Sequence, residues 1–195
     1  MNYAAHNKEL NQTLIIPKEP VIFCKPDSAF QRTNRPFFVP DFASRFDYET
    51  ELVVRICRQG KFIDERFAHR YYDAVTVGID FTARDLQERL RRDGLPWDLC
   101  KGFDNSAFVG DFIPVDNIQD IHFHLDIDGT TVQEGWSGDM IFSVNRIISH
   151  VSHYFTLKTG DLLFTGTPVG VGPVSEGMKL EGYIEDQKLL LVRIK

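Results

Sequence analysis

The sequence predicts an α+β fold rich in β-structure, with few helices. Three observations lead there. Short apolar runs bounded by Pro, Gly, Asn and Asp recur along the chain, as strands punctuated by turns do. Residues 120–129, "DIHFHLDIDG", alternate with a period of two: Ile121, Phe123, Leu125 and Ile127 face one way, His122, His124 and Asp126 the other. The clearest helical periodicities are confined to "TARDLQERLRRDG" and "MIFSVNRIISHVSHYF". A doubly wound parallel sheet or a helical bundle would carry a different pattern.

Taken in order, residues 3–10 are compatible with a short helix that sets His6 and Glu9 one turn apart. "PVIFCKP" (20–26) reads as a brief strand ending at Lys25. Residues 27–41, bounded and interrupted by Pro26, Pro36 and Pro40, read as loop or edge strand. Glu49–Arg58 follows as a strand, with a turn at Gln59-Gly60 and "KFI" starting the return of a hairpin. "DERFAHRYYDAV" has helical spacing through Phe67, Tyr71 and Val75, and "TVGID" is a strand that delivers Asp80 at its end. In "TARDLQERLRRDG" Thr82 is placed to cap a helix, Asp85 takes the capping-box position, and Gly94 follows the basic last turn. "DGTTV" (128–132) supplies a turn, residues 140–155 the second main helix, "GDLLFTGTP" a strand into a tight turn, and "KLLLVRI" a final buried strand.

The length of 195 residues suits one domain with a real core, and 43% hydrophobic with 26% charged residues is ordinary globular composition. A net charge of −6 with mixed signs argues against a nucleic-acid binder, which would carry a basic stripe. Cys24, Cys57 and Cys100 are scattered and odd in number, as expected of reduced thiols in a cytosol-like compartment. "MNYAAHNKEL" lacks the apolar run of a signal peptide, and no stretch approaches the roughly 20 apolar residues of a membrane-spanning helix. The expectation is a soluble, intracellular protein.

Glu49 and Glu51 lie two apart in a strand, so both carboxylates share a face and repel unless a positive charge lies between them. Asp80, ending another strand, supplies a third acid without a nearby cysteine, and that donor set suits Mg2+, Mn2+ or Ca2+ better than zinc. The competing explanation is a pair of glutamates solvated at a sheet edge. His6 and Glu9 could form a general base oriented by its carboxylate, or a weak surface pair. Arg84 and Gln87 stand one turn apart; a guanidinium fork suits carboxylate recognition, though an exposed helix face also fits. Lys101, in "LPWDLCKGFD", is placed to bind an anion or to snorkel. "FTGTPVGVG" lacks a phosphate-loop or dinucleotide pattern; its glycines permit close backbone approach to a small ligand or form a structural turn. His122, His124, His150 and His153 read as solvent-facing.

Together, "NYAAHNKEL", "FCKP", "DYETEL", "GIDFTARDLQ", "LPWDLCKGFD", "MIFSV" and "GDLLFTGTPVGVGP" resemble the fumarylacetoacetate hydrolase family nearly end to end. The length and "LPWDLCKGFD" are most similar to its short members, which act as acylpyruvate hydrolases and oxaloacetate decarboxylases. The resemblance implies a mixed β-sandwich roll, residues 1–195 as a single catalytic domain, and a homodimer; the cysteines and the N-terminus add the expectation of a cytoplasmic setting. It implies a divalent metal, Mg2+ or Mn2+ with Ca2+ possible, on Glu49, Glu51 and Asp80. It places the catalytic dyad on His6 and Glu9, a further catalytic lysine at Lys101, and substrate binding on Arg84, Gln87 and Thr167. The implied activity is metal-dependent C–C cleavage of a small 2-oxo acid through a stabilised enolate. The alternatives are a 2-hydroxyhepta-2,4-diene-1,7-dioate isomerase-type activity and a catalytically silent dicarboxylate binder. Three departures accompany the likeness: the family's strand before "NY" is absent, Phe108-Val109-Gly110 replaces a "P-I-G" at the pocket wall, and "YYDAVTVGID" lacks a Gly-Tyr before the aspartate.

Overall fold

The computed structural model describes residues 2–6, 16–115 and 117–195. Among them the strands form three sheets, and the fold is β-rich with few helices, as the alternating patterns predict. The largest sheet is built on Tyr72–Asp80, which pairs antiparallel with Thr50–Ile56 on one side and Ala107–Val109 on the other. Leu162–Phe164 and Phe30–Arg32 form its edges, and Ile113–Pro114 joins the central strand near its start. A second sheet of five strands runs Thr130–Trp136, His122–Ile127, Lys179–Ile184, Gln187–Ile194, Pro36–Phe37. A small third sheet joins Gly172–Pro173, Phe46–Tyr48 and Thr82–Ala83. Most pairs are antiparallel, but Phe30–Arg32 and Pro36–Phe37 pair parallel, so the sheets are mixed.

The sheets bury their apolar faces against each other. Leu52, Val54, Val75, Val77 and Ile79 from the first sheet join Phe123, Leu125, Leu180, Leu190 and Val192 from the second in one buried cluster. Phe37 stacks on Phe81 with centroids 3.9 Å apart, and Phe108 meets both rings edge-on. Val144–Tyr154, capped by Ser143 accepting from Arg146 N–H, buries Val144, Ile147, Ile148 and Val151. Asp128 (φ 51°) and Gly129 (φ 84°) form the hairpin turn expected of "DG". No helix among the described residues is long and apolar enough to cross a membrane.

Several local expectations are corrected. Residues 21–26 form no strand; they run extended so that Lys25 can reach inward. No hairpin returns through "KFI": Gly60 bridges Leu157 instead. "DERFAHRYYDAV" splits into a 3-10 helix, Glu65–Arg70, and the start of the central strand, because pairing with Thr50–Ile56 outweighs a helical spacing of three residues. Thr82 does not cap Arg84–Arg92: Ala83 holds the cap position without a side-chain bond, and the Asp85 carboxylate is taken by Ser44.

Gly78 sits where the central strand is tightest. A methyl there would lie 2.6 Å from Val53 Cγ2, 2.7 Å from Phe164 Cε1 and 2.8 Å from the Phe108 carbonyl. Gly78→Ala is therefore expected to destabilise the protein by about 1–3 kcal/mol, read as a lower urea midpoint; a midpoint equal to wild type would contradict this packing.

Candidate metal centre

Strand register creates the acidic cluster. Glu49 lies in the one-residue break between Phe46–Tyr48 and Thr50–Ile56, and Glu51 pairs with Gly78 of the central strand. The Asp80 N–H donates to the Glu49 carbonyl at 2.8 Å, which fixes the end of one strand beside the start of the other. One oxygen from each of Glu49, Glu51 and Asp80 lies within 4.8 Å of the others, and all three residues are buried, at 6%, 5% and 1% exposure. Solvated edge glutamates are thereby ruled out.

Buried carboxylates need counter-charge. Lys101, itself 3% exposed, places Nζ 2.8 Å from Glu49, 2.7 Å from Asp80 and 2.6 Å from the Thr82 hydroxyl, committing all three of its donors. It neither snorkels nor faces solvent. Arg84 is buried too: Nε donates to Asp47 at 2.8 Å, Nη2 to Glu49 at 2.7 Å and Nη1 to Gln87 Oε1 at 2.5 Å. Its fork is thus spent on the protein's own acids, and the exposed-face explanation fails. Lys25 brings a second ammonium within 2.7 Å of Asp80 Oδ1 and also donates to the Lys101 carbonyl and to Ser106 Oγ.

These neighbours push the acids apart electrostatically. Burial alone would raise the pKa of Glu49, but Lys101 and then Arg84 overcome it and hold the carboxyl well below the usual range. Burial, reinforced by Asp80 and Glu49, pushes Glu51 up to about 8, against the pull of the Gly166 N–H and Lys101. Burial works against the Lys101 charge, yet Asp80 and Glu49 keep its pKa above that of a free lysine; Lys25, more weakly supported, is lowered by its burial.

The glycine-rich loop closes the cluster from the opposite side. Gly166, at φ 104°, turns its N–H onto Glu51 Oε2 at 2.6 Å. Thr167 follows, 1% exposed, and its hydroxyl accepts from Gln133 Nε2 at 2.9 Å. Asn2 ties the chain's first residues to the same loop, donating to the Thr165 and Phe142 carbonyls. His6 is 2% exposed and lies near enough for its charge to act on Glu49, which puts it beside the acids. Glu9 lies outside the described residues. Tyr3 is buried, its hydroxyl has no hydrogen-bond partner among the described residues, and burial followed by the charges of Glu51 and Asp139 raises its pKa.

Asp47, Lys25, Gln133 and Tyr3 are site neighbours that the sequence reading did not select. Asp47 had a visible signal, since the period-two run of Glu49 and Glu51 extends back to it. Lys25 had a weaker one, a lysine closing the apolar run of "FCKP".

A divalent cation fits these residues. Among the described residues the buried Asp80 Oδ1 accepts no hydrogen bond of regular geometry, and its near cation is the Lys25 ammonium at 2.7 Å. Among the described residues Glu51 has no salt-bridge cation, and its burial, reinforced by Asp80 and Glu49, holds it protonated at neutral pH. Converging carboxylate oxygens are the donor set that Mg2+ and Mn2+ prefer.

Comparison with known proteins agrees. Residues 1–194 match the model of the fumarylacetoacetate hydrolase C-terminal domain. The chain is 39% identical, over all of its own length and 88% of the relative's, to the mouse (Mus musculus) protein named oxaloacetate tautomerase FAHD1, mitochondrial. The solved fumarylpyruvate hydrolase of Pseudomonas aeruginosa, in complex with Mn2+ and pyruvate, superposes with a TM-score of 0.90 at 35% identity, covering 99% of this chain and 85% of that one. The 2-hydroxyhepta-2,4-diene-1,7-dioate isomerase of Mycobacterium marinum gives 0.86 at 31% identity, covering 100% and 71%. The chain belongs to the fumarylacetoacetate hydrolase family.

The raised pKa of Glu51 makes metal uptake pH-dependent. Below about 8 the carboxyl is protonated, and a cation must expel that proton to bind. Mn2+ affinity should therefore rise about tenfold per pH unit between roughly pH 6 and 8 and level off above. Calorimetry at pH 7 in buffers of different ionisation enthalpy should find close to one proton released per ion; no release would contradict this electrostatic picture.

Proposed function

We propose that this protein is a divalent-metal-dependent enzyme that breaks a C–C bond in a small 2-oxo acid through an enolate, by acylpyruvate hydrolysis, oxaloacetate decarboxylation or both. The observation that carries the reading is the buried convergence of Glu49, Glu51 and Asp80 within 4.8 Å. These three would hold Mg2+ or Mn2+, with Ca2+ also compatible; the Mn2+ and pyruvate of the Pseudomonas structure support that choice. When bound, the ion supplies positive charge beside the keto oxygen at C2, where electron density collects as the bond beyond C3 breaks.

The chain's own residues would do the rest. Lys101 contributes a fixed ammonium next to Glu49 and Asp80, raising the positive potential met by an anionic substrate. Arg84 holds Oε1 of Gln87, so the Gln87 Nε2 end is left to donate to a substrate oxygen. Thr167 would hold a carboxylate oxygen. His6, backed by Glu9, would take the proton from a water that attacks a C4 ketone. With a carboxylate at C4, CO2 leaves and no water is required. In this proposal residues 1–195 work as one catalytic domain, paired as a homodimer in the cytoplasm; the exposed or half-buried, unpaired Cys24 and Cys57 suit a reducing compartment.

A second reading has its own support, the tautomerase name of the mouse relative and the isomerase name of the Mycobacterium structure. In it the proton leaves C3 and is returned to the C2 oxygen, or along a conjugated chain, with no C–C cleavage. The two readings share the site and differ in where the proton goes.

Chelation with EDTA should abolish turnover of acetylpyruvate and oxaloacetate, and Mg2+ or Mn2+ should restore it; full turnover by metal-free protein would refute the proposal. Following acetylpyruvate cleavage, CO2 release and loss of enol absorbance in parallel separates the two readings. His6→Ala is expected to slow acetylpyruvate hydrolysis by a factor of about 100 or more while slowing decarboxylation far less, because only hydrolysis uses the activated water. Equal losses would remove His6 from that role.

A further inference from the structure

Gln133 is an uncharged side chain in an unusual place. It stands on Thr130–Trp136 opposite Leu125, on the inward face of the five-stranded sheet, and is 2% exposed. Its strand is irregular between Thr131 and Gln133, where Val132 falls out of register. A methyl on Gly170 would strike the Val132 carbonyl, so the glycine-rich loop passes against this irregularity with no side chain between.

Two backbone groups settle which way the amide points. Oε1 accepts from the Thr50 N–H at 3.0 Å, and a backbone N–H can only donate. Nε2 donates to the Pro168 carbonyl at 3.0 Å, and a carbonyl can only accept. The remaining Nε2 hydrogen is therefore the one that reaches Thr167 Oγ1 at 2.9 Å, with the threonine oxygen as acceptor. Thr167 then has its own proton to give. The acceptor recorded for it among the described residues, the Pro168 carbonyl, is 3.5 Å away and already takes the Gln133 amide. Thr50, the other anchor, is the residue between Glu49 and Glu51, and Gly166, beside Thr167, holds Glu51. One side chain thus connects the acid-bearing strand to the hydroxyl across from it.

We propose that Gln133 is a positioning residue that makes Thr167 a hydrogen-bond donor toward an anionic oxygen of the bound 2-oxo acid. This rests on the functional reading above and adds the group that determines the polarity of one contact. A hydroxyl whose lone pair is occupied by an amide donor presents hydrogen outward. It favours a carboxylate or enolate oxygen over a ligand that offers a donor at that place.

The test is a double-mutant cycle read as oxalate binding to the Mn2+-loaded protein by calorimetry, with Mn2+ affinity measured separately. Gln133→Met should weaken oxalate binding about tenfold, the scale of one hydrogen bond to a charged group, and leave Mn2+ affinity within about twofold. Thr167→Val should cost a similar factor, and adding Gln133→Met to it should cost less than about twofold more. Thr167→Ser, which keeps the hydroxyl, should stay within about threefold of wild type. Gln133→Glu keeps the acceptor for Thr50 but faces Thr167 with an acceptor, and should lose at least as much as the methionine variant; it serves where Gln133→Met fails to fold. Additive losses, or a parallel fall in Mn2+ affinity, would overturn the inference and make Gln133 a packing residue only. Wild-type protein that takes up Mn2+ but no oxalate would overturn the functional reading and this inference with it.

Discussion

Everything at this site follows from burying carboxylates faster than cations can neutralise them. Asp47, Glu49, Glu51 and Asp80 all lie under 10% exposed, where an unpaired charge costs several kcal/mol. Arg84 serves Asp47 and Glu49; Lys101 serves Glu49 and Asp80; Lys25 stands next to Asp80. Glu51 has a backbone N–H and, among the described residues, no direct cation, so it keeps a proton instead. Glu51 thus carries the proton of the cluster that a divalent ion, if bound on the three acids, would displace.

The fold tolerates this strain because both sides of the cluster are over-determined. The central strand ties Asp80 to Glu49 through the backbone, while the ammonium groups of Lys101 and Lys25 link the short helix Asp98–Lys101 to the extended residues 21–26. Aromatic packing of Phe37, Phe81 and Phe108 sits directly under the strand end that carries Asp80. The loop opposite is held by Asn2 and Gln133, two neutral amides that bind backbone groups and leave the charge balance untouched. Rigid acids on strands and an adaptable pocket wall on loops are a reasonable division for a family whose relatives bear hydrolase, tautomerase and isomerase names.

Much of this was legible in the amino-acid order, and the failures have physical reasons. Glu49 and Glu51 could be paired because period two is a local property, and Asp80 because it ends an apolar β-branched run. The helix at Arg84–Arg92 was visible, but Arg84 was not foreseeable as buried, since its partners are 35 and 37 residues away. The helical spacing through Phe67, Tyr71 and Val75 loses to the central strand, in which Tyr72, Ala74 and Val75 pair across to Ile56, Arg55 and Val54. Lys25 breaks what looks like a strand because its ammonium is needed at Asp80. Gln133 was invisible for a different reason: a register irregularity one residue earlier sets which face it takes, and periodicity carries no trace of that. Glu9 lies outside the described residues, and its place in the expected dyad comes from the one-turn spacing to His6 and from the family resemblance.

The central claim is that Glu49, Glu51 and Asp80 together hold one divalent ion. Anomalous diffraction at the manganese edge, from crystals grown with Mn2+, tests it most directly. The account predicts a single strong peak enclosed by these three carboxylates, with an oxygen from each within about 2.0–2.3 Å. A peak elsewhere, or none at saturating Mn2+ with the acids still bonded to Lys101 and Arg84 alone, would contradict it.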